Sequence, residues 1–96
     1  MSDITFTWDS AKNTANKRKH GVSFEEAQTV FLDEYAQFID DPDHSMEEDR
    51  FILLGLSTAL HMLVVCHCYR ENDQVIRIIS ARKATSGEAR DYPHGG

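Results

Sequence analysis

The sequence predicts an α+β fold in which two N-terminal helices and a short C-terminal helix pack on a mainly antiparallel sheet. Three observations carry this. Helix signals cluster between Asp9 and Phe31, strand-like runs follow one another from Ala36 to Arg82, and the two longest runs are joined by the short turn Glu71–Gln74. At 96 residues the chain fits one domain over residues 1–96, with residues 93–96 a fraying tail. A domain of that size buries well over half of its unfolded surface.

The elements follow in order. Ile4, Phe6 and Trp8 alternate with Thr5 and Thr7, as in a short strand. Asp9 or Ser10 caps a helix running to about Lys19, and Gly21 suits its left-handed end. That helix carries Lys12, Lys17, Arg18 and Lys19, but only Ala11 and Ala15 as apolar residues, so it packs weakly or faces a ligand. Ser23 with Glu26 reads as a capping box for a second helix. Phe24, Ala27, Val30 and Phe31 form its apolar face. Strands are expected over Ala36–Ile39, Arg50–Ser57, Leu60–Arg70 and Val75–Arg82, with Gly55 marking a bulge or a close approach. Thr85 or Ser86 caps a last helix reaching Tyr92, with Glu88 in its first turn.

The net charge of −6 argues at first against a nucleic-acid partner. Its distribution alters that. Eight of the sixteen acids lie between Asp33 and Asp49, where there is no Lys or Arg, and the remainder carries ten bases against eight acids. The acidic stretch is either a solvated loop and strand edge or a docking surface for a basic partner. No apolar run approaches the roughly 20 residues of a membrane helix. Met1–Ile4 lacks the basic start and apolar stretch of a secretory signal, so the expected location is the cytoplasm. Cys66 and Cys68, two apart on one strand, make a poor disulfide and read as reduced, buried residues. Scattered histidines give no metal-ligand spacing, and Asp41, Asp43 and His44 fit a Pro-containing acidic turn better than a metal site, so neither metal nor cofactor is expected.

The stretch FTWDSAKNTANKRKHGVSFEEAQTVFLD, residues 6–33, resembles the opening of the BrnT family. The shared pattern runs through Phe6, Trp8, Asp9, Lys12 and Asn16 and then the block Lys19–Ala27; RFILLGLS and IRIISARKAT resemble the later blocks. The resemblance extends from Phe6 to Tyr92 and departs in the tail SGEARDYPHGG, which is poorer in charge. It implies helices on a curved antiparallel sheet, similar to RelE-type ribonuclease toxins, and RNA cleavage without a metal. It also implies neutralisation by a BrnA-like antitoxin with a ribbon-helix-helix DNA-binding domain. Operator DNA is then reached only through the antitoxin, in a heterotetramer of toxin–antitoxin pairs. The alternative is a binding module that has lost catalysis and serves as corepressor with that antitoxin; a third reading is an interaction domain with no RNA target.

Metal-free RNA cleavage needs a base for the ribose 2′-OH, a cation for the extra phosphorane charge and an acid for the leaving 5′-oxygen. Arginine suits the cationic task, because its planar fork holds two phosphate oxygens and stays charged. If residues 71–74 form a tight turn, Arg70 lies opposite Val75, Cys68 opposite Arg77 and Leu63 opposite Arg82. Arg70 and Arg77 then share a face as diagonal neighbours, and Arg82 falls on the other face at the strand end. The resemblance places essential arginines in the blocks holding Arg70 and Arg82, which become the candidate catalytic pair. Arg77, Lys83, Lys19 and Lys12 are the candidate RNA-binding residues, each set against the plain reading of a solvated charge. Arg77 interrupts an apolar strand, so its side must be open to water or paired. His67 reads as a hydrogen-bonded core-edge residue before a catalytic one, and His20 as a ligand of terminal carbonyls. Glu88 serves a helix start more readily than it serves as a base, and Trp8 packs between strand and helix more readily than it stacks on RNA, a role open also to Tyr69.

Overall fold

In a computed structural model the described residues are 4–40 and 49–93. Asp41, Asp43, His44 and half of the acids of the acidic stretch lie outside them. The chain runs β1 (Thr5–Thr7), α1 (Ser10–His20), α2 (Phe24–Thr29), a 3₁₀ turn (Val30–Leu32), β2 (Gln37–Ile39), β3 (Phe51–Leu56), β4 (Met62–Arg70), β5 (Val75–Lys83) and α3 (Ser86–Ala89). The five strands form one sheet in the order β1-β5-β4-β3-β2. Three of its four pairings are antiparallel, as expected. The fourth is not: β1 lies parallel to β5, with Thr5 opposite Val75, so the sheet is mixed. The first strand is shorter than predicted because Trp8 leaves the ladder to set its ring edge-on against Phe24, 6.1 Å away. The last helix also ends early, at Ala89, and continues to Tyr92 as turns.

α1 packs by neither of the routes its composition suggested. Its buried residues are Asn13 and Asn16. The Asn16 Nδ2 donates to the carbonyls of Val22 (2.9 Å) and Ala81 (2.7 Å), and its Oδ1 accepts from the Ala81 amide (3.2 Å). The side-chain amide thus pairs with β5 as a strand peptide would. Asn13 accepts from the Phe24 amide and donates to Glu25, both at 2.9 Å. Satisfied buried amides hold the helix where an apolar face would otherwise be needed. Asp9 caps its start, accepting from the Ala11 and Lys12 amides, and Gly21 at φ +72° ends it.

α2 supplies the apolar contact. Val22, Phe24, Ala27 and Val30 are fully buried against Leu53, Leu63, Val65, Ile78 and Ala81 on one face of the sheet. Ser23 caps this helix through the Glu26 amide (3.0 Å), but the predicted capping box is only half made. The Glu26 carboxylate turns instead to the β3–β4 connection, accepting from the Ser57 hydroxyl (2.6 Å) and contacting His61 Nδ1 (2.8 Å). Gly55 is a close-approach site: a Cβ there would stand 2.7 Å from the Val30 side chain and 2.9 Å from Ala36.

The opposite face of the sheet has its own smaller core. Ile52, Leu54, Val64, Cys66 and Tyr92 pack there, with Ile79 and Ala84 beside them. Because β3 and β4 are covered on both faces, they read as continuous apolar runs. Cys66 and Cys68 are buried free thiols, as expected.

Candidate functional site

The β4–β5 hairpin places most of the predicted residues. Its turn is built from Glu71, Asn72 and Asp73, all with positive φ (52°, 57° and 68°), and is closed by the Gln74 amide on the Glu71 carbonyl. From this turn the register runs as predicted: Arg70 opposite Val75 and Cys68 opposite Arg77. Arg70 and Arg77 therefore share one face as diagonal neighbours, about 7–8 Å apart at the backbone.

Farther along, the prediction fails for a specific reason. The ladder passes from His67–Ile78 to Cys66–Ser80, leaving Ile79 as an extra residue. This bulge moves Arg82 opposite Val64 rather than Leu63, and so onto the same face as Arg70 and Arg77 rather than the opposite one. The signal was available: Ile78-Ile79-Ser80 breaks the alternation of apolar and polar residues that Ile76–Ile78 keeps. Sharing a face does not bring Arg82 to Arg70, however. Arg77 and Arg82 are five residues apart on β5, about 15 Å at strand rise, too far to grip one phosphate.

Arg82 also has a structural engagement. Its Nη1 and Nη2 donate to the two carboxylate oxygens of Glu88, each at 2.7 Å. Glu88 in turn accepts from the Thr85 amide, while the Thr85 hydroxyl accepts from the Glu88 amide, so a complete capping box is fastened to β5. The Arg82 bonds, opposed by burial and aided by Thr85, hold the Glu88 carboxyl down at about 2. At neutral pH Glu88 is thus an ionised partner and a weak base.

The lysines are elsewhere. Lys83 pairs with Leu63 and lies on the helix-covered face, where its charge helps lower the Glu26 carboxyl against the cost of burial. Lys12 and Lys19 are exposed on α1, which packs over that same face. The predicted set therefore divides, with arginines on one side of the sheet and lysines on the other.

His67 is wholly buried on the helix-covered face. Its Nδ1 faces the Val65 carbonyl (3.2 Å) and its Nε2 the Tyr69 hydroxyl (3.3 Å). A carbonyl only accepts, so Nδ1 carries the proton and Nε2 accepts from Tyr69. Burial holds the imidazole pKa down, which keeps it neutral. Around it stand Phe31, Tyr69, Phe38 and Phe51, at 4.8, 5.3, 6.1 and 6.2 Å between ring centroids. Reading single residues missed this group. Phe38, Phe51 and Tyr69 come from three neighbouring strands on one face, and pairing the strands by their apolar alternation would have aligned them.

Fold, hairpin and sequence pattern meet in one class, the ribonuclease toxins of type II toxin–antitoxin systems. A family model described as the ribonuclease toxin BrnT of type II toxin–antitoxin systems matches residues 8–88, and the chain belongs to the BrnT family. Membership implies a cognate antitoxin. A search of solved structures gives the crystal structure of the Brucella abortus ribonuclease toxin BrnT, similar over 90% of this chain and 100% of that one, with a TM-score of 0.64 and 22% identity. At that identity the likeness is one of fold. Among curated proteins no relative matches. Among the described residues no helix is long and apolar enough to cross a membrane.

Proposed function

We propose that this chain is a cytoplasmic endoribonuclease that cleaves RNA without a metal and arrests growth until an antitoxin binds it. The observation that carries the reading is the pair Arg70 and Arg77, set side by side at the hairpin end on one sheet face of a BrnT-family fold. Two guanidinium groups at that spacing suit a phosphate whose charge grows as the 2′-oxygen attacks. The 2′-hydroxyl loses its proton to solvent as the P–O2′ bond forms. The P–O5′ bond breaks, the 5′-oxygen leaves as a hydroxyl with a proton from solvent, and the product is a 2′,3′-cyclic phosphate. Alignment of the 2′-oxygen supplies part of the rate. Arg82, farther along the same face, acts on a neighbouring phosphate. Lys83, Lys19 and Lys12 draw RNA toward the protein from the other side. The partner is a ribbon-helix-helix antitoxin of the BrnA kind, two toxin–antitoxin pairs form the resting heterotetramer, and operator DNA is reached through the antitoxin alone.

A second reading is a corepressor without catalysis. The bidentate Arg82–Glu88 pair favours it, since a guanidinium so engaged offers fewer donors to a phosphate. Purified protein incubated with RNA in EDTA separates the two readings. Cleavage by the wild type, reduced about 100-fold or more in folded Arg70→Ala and Arg77→Ala, supports the ribonuclease. A folded wild type that leaves both free and ribosome-bound RNA intact puts the corepressor first.

A further inference from the structure

The aromatic group ends in a feature that the arginine face does not explain. Beside Phe51 and Tyr69 lies a cavity of about 410 Å³, lined among the described residues by these two and by Asp49 and Asp73. The size is within the range of small-molecule sites. Phe51 remains 42% exposed and its neighbour Phe38 63%, although both stand on the helix-covered face of the sheet. The rings are held in place. Phe51 and Tyr69 meet edge to face at 5.3 Å, and the Tyr69 hydroxyl is engaged by buried His67.

We propose that this cavity is a nucleobase subsite, in which one unstacked guanine of single-stranded RNA lies against Phe51 and Tyr69 with its N–H edge toward Asp49 and Asp73. The inference rests on the reading of the chain as an RNA-cleaving enzyme. Two carboxylates repel a phosphate, so the charged backbone stays outside and the neutral base enters. Aromatic rings offer any base a stacking surface. The carboxylates, which only accept, then select by edge. Guanine alone presents two adjacent N–H donors on its Watson–Crick edge. Adenine and cytosine set one amino group beside an acceptor, and uracil flanks its single N–H with acceptors. Arg70 directly follows Tyr69 and leaves the same strand end on the opposite face, so a chain whose base is seated here passes the arginines where it rounds the hairpin.

The test is titration of the isotope-labelled protein with GMP, AMP, CMP and UMP, followed by NMR, beside RNA cleavage by the same samples. GMP is expected to bind most tightly and to move the amide signals of Phe51, Tyr69 and Asp73. Phe51→Leu should weaken it at least fivefold and Phe51→Tyr should restore it. Asp73→Asn should narrow the preference for GMP over AMP about tenfold. Thermal unfolding of each variant verifies that it is folded. Nucleotide binding with neither free nor ribosome-bound RNA cleaved sinks the ribonuclease reading and leaves the subsite standing. Cleavage with nucleotides that act equally, or with Phe51→Leu unaffected, overturns the subsite and spares the ribonuclease. So does a Phe51→Leu variant that loses only antitoxin affinity, because the cavity would then seat a protein side chain.

Discussion

The two faces of the sheet are closed by different chemistry. On one, α2 presses Phe24, Ala27 and Val30 into a dry core, and α1 is fastened beside it by Asn13 and Asn16. On the other, Tyr92, in the turns after α3, packs into a smaller core, and this segment is held by the Arg82–Glu88 pair and by the Tyr92 hydroxyl donating to Asp33 at 2.8 Å. Apolar burial does not depend on protonation, whereas those two fastenings do. The apolar core under α2 is therefore closed independently of protonation, and the arginine-bearing face is closed conditionally.

Three substitutions bear on this contrast. The largest effect is expected from Phe24→Ala, which opens a cavity in a fully buried site and should cost about 3–5 kcal/mol. Urea unfolding measures it, and the loss should be the same at pH 5 and pH 8; a strong pH dependence would contradict the assignment of that face. Glu88→Gln comes next, at about 1.5–3 kcal/mol for a weakened charge-assisted pair. The Glu88 carboxyl is lowered from 4.5 to about 2, so its stabilisation is complete above the ordinary carboxylate range and fades as pH falls from about 4.5 toward 2. Melting curves of wild type and variant should converge across that window. Curves that stay parallel down to pH 2 would show that the pair contributes nothing there.

Tyr92→Phe should have the smallest effect, about 1 kcal/mol. Burial first, then the bond to Asp33, pushes the Tyr92 phenol up to about 12. A raised pKa stabilises below the ordinary value of 10 and is lost as pH rises from there toward 12. The variant should escape that alkaline loss, which pH-jump unfolding followed by circular dichroism will read. The Asp33 carboxyl is pushed up by burial, but bonds from the Leu56 and Tyr35 amides and from Tyr92 outweigh this and hold it ionised.

These contrasts also explain what could be read in the sequence. α2 was legible because its stability comes from apolar periodicity, the quantity that a sequence displays directly. The Arg70–Arg77 relation was legible because a turn of fixed length sets the register on both sides of it. Arg82 was misplaced because it lies beyond the bulge, and one extra residue reverses every face that follows. The docking of α1 was hidden because asparagine reads as surface; only the position of Ala81, sixty-five residues away, makes Asn16 a core residue. The parallel β1–β5 pair was hidden for the same reason, as nothing local to Thr5–Thr7 announces a partner at Val75–Arg77. Phe38 and Phe51 carry no local signal within their strands; only the alignment of β2, β3 and β4 puts their rings beside His67.

The pairing of the first strand with the last sets the order in which the molecule is assembled. β1 leaves the ribosome well before the backbone groups it needs, which begin with the Gln74 carbonyl that receives the Thr5 amide and are made some seventy residues later. At ordinary elongation rates that is a wait of roughly 4–14 seconds. Through this interval α1 also lacks the Ala81 peptide that anchors Asn16, and the hairpin bearing Arg70 and Arg77 does not yet exist. A nascent chain interrupted before Val75 consequently has neither a paired first strand nor its arginine pair, and the sheet closes only once β5 has been made.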